Sequence, residues 1–77
     1  MIRSMDELRL GESARVDEVV GTSTVAIRIL EMGFVPGTII KLIKRAPFAD
    51  PLEFQVRGAH VSLRAEEAKL VRVVTGE

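Results

Sequence analysis

The sequence contains no cysteine, tryptophan or tyrosine, and only one histidine, His60. Without cysteine there is no disulfide scaffold, thiolate metal site, iron-sulfur cluster or thiol nucleophile. A single imidazole excludes two-histidine metal sites and leaves no second ring for a proton relay. Net charge is missing too: eleven basic side chains balance eleven acidic ones, so no overall field gathers polyanions around the molecule. The only aromatics are three phenylalanines, too few for a basic groove with stacking platforms for nucleic acid. No run approaches the roughly 18 apolar residues of a membrane span, and residues 1–7 lack the apolar stretch of a signal peptide. A cytosolic location without membrane insertion is the expectation.

What is present suits a globular chain: 47 % apolar and 29 % charged residues leave disorder unexpected. Seventy-seven residues imply one domain over residues 1–77, with a stability of roughly 4–12 kcal/mol. Ser4 and Glu7 stand at capping-box spacing before Leu8, predicting one helical turn. Residues 13–17 alternate small or apolar with charged, and Val19 and Val20 extend the pattern as the first strand. Thr22, Ser23 and Thr24 offer caps for a helix of about ten residues. Its apolar stripe is Val25, Ala26, Ile29, Leu30 and Gly33.

Gly33 suits a helix C′ residue at positive φ, and Pro36-Gly37 suits a type II turn. Residues 38–45 read as a long strand whose broken alternation predicts a bend. Pro47 and Pro51 force residues 46–51 into a loop. Leu52, Phe54 and Val56 alternate with polar residues as the cleanest strand. A turn at Gly58 leads to a strand carrying Val61 and Leu63. Residues 65–68 hold one helical turn, 70–74 form a last strand, and 75–77 are expected to fray. Five short strands and one helix close best as a small, nearly closed β-barrel.

No catalytic constellation emerges. His60 sits beside a turn and reads as a solvent-facing residue, and the adjacent acidic pairs point apart. No phosphate loop, nucleophile elbow or zinc-protease stretch occurs, so neither enzyme activity nor a resident metal or cofactor is expected. Candidate partner contacts remain. Phe48 is a projecting knob in a loop pinned by Pro47 and Pro51, with Asp50 beside it, although folding back over the barrel end is equally compatible. On the helix, Ile27 lies opposite the apolar stripe, with Arg28 beside it. Arg45, Arg57 and Arg64 are expected to point outward from strands and to read carboxylates or phosphates on a partner.

The stretch Arg28-Ile29-Leu30-Glu31-Met32-Gly33-Phe34-Val35-Pro36-Gly37-Thr38 is followed by Arg45-Ala46-Pro47-Phe48-Ala49-Asp50-Pro51-Leu52. Val56-Arg57-Gly58 and Ser62-Leu63-Arg64-Ala65-Glu66-Glu67-Ala68 come next, and upstream lies Leu8-Arg9-Leu10-Gly11-Glu12. Together these resemble the FeoA family over nearly the whole chain. The resemblance implies a mainly β, SH3-like barrel with the helix inserted after the first strand. It also implies a small cytosolic accessory of FeoB, the GTPase-linked membrane transporter for ferrous iron in bacteria. On that reading Ile27, Arg28, Arg45, Phe48, Asp50 and Arg57 contact the cytosolic part of the transporter, with weak self-association as an additional expectation. Ala49 departs from the family, which usually has glycine there, so strain is expected if that position needs positive φ. A related SH3-like domain occurs in the C-terminal part of DtxR-type iron-dependent repressors. The alternative implied is a regulatory or nucleic-acid-binding domain using Lys41 and the arginines.

Overall fold

The computed structural model describes residues 1–76, apart from the side chain of Ala49. Six strands form one antiparallel sheet: β1 (Ile2–Ser4), β2 (Ser13–Val19), β3 (Ile39–Arg45), β4 (Leu52–Val56), β5 (Ala59–Leu63) and β6 (Val71–Val74). Their spatial order is β1-β6-β2-β3-β4-β5. The sheet curls around one core, to which the inward faces of β2 to β6 contribute Ala14, Val16, Ile40, Leu42, Leu52, Phe54, Val56, Leu63, Val71 and Val73. Among the described residues no β1–β5 pairing closes the ring, so the barrel is nearly rather than fully closed.

One strand more is present than the expected five. Residues 2–4 are too short to show alternation, and β1 exists because Ile2, Arg3 and Ser4 pair with Val74, Val73 and Arg72 of β6. The helix α1 (Thr24–Glu31) accordingly follows the second strand. Two register shifts bend the sheet, between Val16 and Glu18 against β6 and between Leu42 and Lys44 against β4. The second is the bend expected from the broken alternation of β3.

Helix α1 has eight residues rather than about ten. It begins where the Ser23 hydroxyl accepts from the Ala26 amide at 3.1 Å, satisfying one of the first orphan N–H groups. It ends in a Schellman arrangement, in which the Gly33 amide donates to Leu30 and the Phe34 amide to Ile29, at 3.0 and 3.4 Å. Gly33 takes φ 112°, and Phe34 drops into the core against Phe54 in a T-shaped contact with centroids 6.0 Å apart. The Thr38 amide closes the expected turn on Val35 at 3.1 Å, with Gly37 at φ 93°. Four residues, Ala65–Ala68, make the second helix α2.

Two local readings are corrected. Met5–Glu7 is a 3₁₀ turn, but the Ser4 hydroxyl hydrogen-bonds the Asp6 carboxylate instead of capping the turn. The competing acceptor lies only two residues away. Thr75 is buried rather than frayed, because its amide donates to Met1 at 3.0 Å beside β1. Gly76 is exposed, and Glu77 lies outside the described residues.

Candidate functional site

Burial of Ala26 and Ile29 turns Ile27 and Arg28 outward, as the helical spacing predicts, and Ile27 is half-exposed. The Arg28 guanidinium reaches toward α2, 3.9 Å from the Glu67 carboxylate. Glu67 Oε1 in turn accepts from the Arg64 amide at 2.9 Å. Arg64 occupies the N-cap of α2, and its guanidinium has no acceptor to offer the helix. The Ala65 amide is met instead by Asp50, fifteen residues earlier in the chain, whose Oδ1 accepts at 2.9 Å. The other oxygen of Asp50 lies 3.8 Å from the Arg64 guanidinium. A polar chain thus runs from α1 through the start of α2 to the loop that carries Phe48.

In that loop a 3₁₀ turn, Pro47–Ala49, holds Phe48 at φ 68° and ψ 15°. Left-handed backbone at a bulky residue costs about 1–3 kcal/mol, yet the ring is as exposed as in an extended chain. Of the two orientations open to Phe48, the structure takes the projecting one. The condition for strain at Ala49 is not met: the positive φ in this loop falls on Phe48. The loop's neck is closed by the Ala46 amide donating to Pro51 at 3.1 Å.

Arg45 and Arg57 are exposed but not free. Arg45 Nη2 donates to the Leu8 carbonyl at 2.7 Å, and Arg57 Nη2 to the buried Thr38 hydroxyl at 3.2 Å. Arg57 and Gly58, at φ 50° and 82°, form the hairpin turn between β4 and β5. Because β4 spans five residues, this turn lies about 17 Å along the strand from the Phe48 loop. The structure therefore links Arg28 to Asp50 by way of Glu67 and Arg64, with Ile27 beside Arg28 and Phe48 two residues from Asp50, and places Arg57 at the other end of β4.

Between α1 and α2 lies a groove of about 370 Å³ lined by Ser23, Val25, Arg64, Glu66, Glu67 and Leu70. Sequence reading did not single out Glu67. Its signal was the three-residue spacing to Arg64, which gives the glutamate half of a capping box even when the N-cap residue cannot reciprocate. His60 faces solvent with Nδ1 3.1 Å from the Glu53 carboxylate. Among the described residues no three carboxylate or imidazole side chains converge as metal ligands would. Among the described residues no helix is long and apolar enough to cross a membrane.

At the β1–β2 corner, the Glu12 carboxyl is held below its usual range. The Arg9 amide donates to it at 2.8 Å, and the Arg3 guanidinium donates at 2.7 Å. This clamp lies on the N-terminal turn, apart from the linked residues.

The profile of the FeoA domain matches residues 3–75. The chain is 39 % identical over 69 residues to an Fe(2+) transport protein A/Fe(2+) transporter FeoB fusion protein of Porphyromonas gingivalis. That match covers 90 % of this chain and 8 % of the fusion protein. Stenotrophomonas maltophilia FeoA, an SH3 domain protein crystallised with zinc, superposes with a TM-score of 0.82 at 35 % identity, covering 92 % of this chain and 88 % of that one. T. acidophilum IdeR shares the fold at a TM-score of 0.83 and 19 % identity, over 96 % of this chain and 34 % of that one. With its mainly β, SH3-like fold and its match over residues 3–75, this chain belongs to the FeoA family, which is associated with Fe(2+) transport.

Proposed function

We propose that the chain is a cytoplasmic, non-enzymatic accessory of bacterial ferrous iron uptake that binds the cytosolic part of a FeoB-type GTPase transporter and modulates its activity or assembly. The observation that carries this reading is the fusion relative in Porphyromonas gingivalis, where a segment like this chain shares one polypeptide with FeoB. A covalent link raises the effective concentration of two modules to roughly the millimolar range, a gain that matters only for modules that act on one another. Contact with the transporter needs an anchor on the surface of this domain. An exposed aromatic held in a fixed conformation is the usual kind, and Phe48 is that residue, with Ile27 and Arg28 completing the surface.

The test is binding of the folded chain to the detergent-solubilised, full-length transporter. Phe48→Ala is expected to weaken association about tenfold, in the range of a single interface anchor, and Arg28→Ala by a smaller factor. Absence of any association by the unaltered chain sinks the proposal. Full affinity in both variants moves the contact away from this surface. The likeness in fold to IdeR keeps an oligonucleotide at low salt as the control, and salt-sensitive binding there would favour the regulatory reading.

A further inference from the structure

We propose that Asp50 is a positioning residue, whose carboxylate docks the Phe48 loop onto the first residue of α2 and so fixes the direction in which Phe48 projects. Its functional consequence rests on the reading of Phe48 as a partner contact, whereas the docking stands on geometry alone.

Three observations carry it. First, the Ala65 amide is among the orphan donors at the start of α2, and the residue at the N-cap, Arg64, brings no side-chain acceptor to that end. Asp50 Oδ1 supplies it at 2.9 Å. Second, the second carboxylate oxygen already faces Arg64 at 3.8 Å. The group is turned toward its own molecule rather than presented whole to a partner. Third, Phe48 sits two residues earlier with its ring in solvent and its backbone at φ 68°. No packing of the ring restrains that conformation, so the restraint has to come from the loop's attachments. The neck bond between Ala46 and Pro51 closes the base of the loop, and among the described residues Asp50 is the one of this loop whose side chain hydrogen-bonds another element. The chain then continues through Glu67 to Arg28, which links the two parts of the proposed surface.

The discriminating pair is Asp50→Ala and Asp50→Asn, because the asparagine oxygen still accepts from Ala65 whereas the charge is lost. Both variants are examined by NMR without any partner, and then for binding to the full-length transporter. Asp50→Ala is expected to move the Ala65 amide proton upfield, to shift the backbone resonances of residues 47–51 and to weaken binding about tenfold, matching Phe48→Ala. Asp50→Asn is expected to keep the loop resonances and to bind within about twofold of the unaltered chain. Unchanged Ala65 and loop resonances in Asp50→Ala would overturn the docking. Equal loss of binding in both variants, with the loop resonances intact in Asp50→Asn, would overturn the positioning role and make the charge itself a partner contact. If Phe48→Ala binds normally while Asp50→Ala disturbs the loop, the docking stands and the contact assigned to Phe48 falls.

Discussion

Phe34 and Phe48 each follow a chain reversal, and they are treated in opposite ways. At the end of α1 the left-handed position is taken by Gly33, at φ 112°, and the next residue, Phe34, is buried without remainder. In the β3–β4 loop the left-handed position is taken by the phenylalanine itself, and its ring packs on nothing. The first arrangement stabilises the fold twice, by avoiding Cβ strain and by burying a ring against Phe54. The second costs conformational energy and gains no burial. The proposed partner surface is drawn around Phe48 because nothing inside the molecule compensates that cost.

The contrast can be broken most severely at Phe34. Phe34→Ala removes a fully buried ring and should destabilise the chain by about 3–5 kcal/mol. Against a total of roughly 4–12 kcal/mol, urea denaturation should find its midpoint sharply lowered, and a loss below about 1 kcal/mol would contradict the core assignment.

Gly33→Ala comes next. Its Cβ would stand 3.2 Å from Val56 Cγ1 at a backbone angle that L residues avoid, so a loss of about 1–3 kcal/mol is expected. Val56→Ala in the same background should recover the steric share but not the backbone share.

At Phe48 the sign reverses. Phe48→Gly relieves left-handed strain of about 1–2 kcal/mol but adds unfolded-chain entropy of about 0.5–1 kcal/mol. The midpoint of denaturation should rise by a small amount. Destabilisation by Phe48→Gly would show that the ring packs on the molecule after all.

The smallest effect concerns Glu12, which sharpens the comparison because its turn, with Gly11 at φ 85°, carries a charged clamp as well as a glycine. Its carboxyl lies below the ordinary value near 4.5, so the folded state favours the ionised form. The resulting stability is present above the unfolded pKa and is lost as pH falls through the lower, folded pKa. Glu12→Gln should therefore be slightly less stable at neutral pH and should lose less than the unaltered chain on acidification below about pH 4. Parallel acid profiles would show that the clamp is not formed in solution. The Phe34 contact has no titrating group and should give no such difference.

Much of this surface was legible before the structure. Helical spacing opposed Ile27 to the buried stripe, and two prolines marked the Phe48 loop. Asp50 was read as a partner contact because only its neighbours in sequence were visible, and the amide it serves is fifteen residues away. Arg45 and Arg57 were read as pointing outward, and both are exposed, but the hydrogen bonds they make within the molecule were hidden for the same reason. Their acceptors, Leu8 and Thr38, come from other elements.

Period-2 alternation in β2, β4 and β5, the Pro36-Gly37 turn and the cap at Ser23 are local patterns, and local sterics and hydrogen bonding suffice to determine them. The sequence by itself therefore determined the order of most elements, the inward residues and the exposed candidates. Only the tertiary structure decided that Ile2–Ser4 is a strand, that Thr75 is buried, and that Asp50 accepts from the first amide of α2. Each of these depends on a backbone donor or acceptor brought close by the curl of the sheet. Such groups are carried alike by nearly every residue, so no side-chain pattern announces which of them will meet.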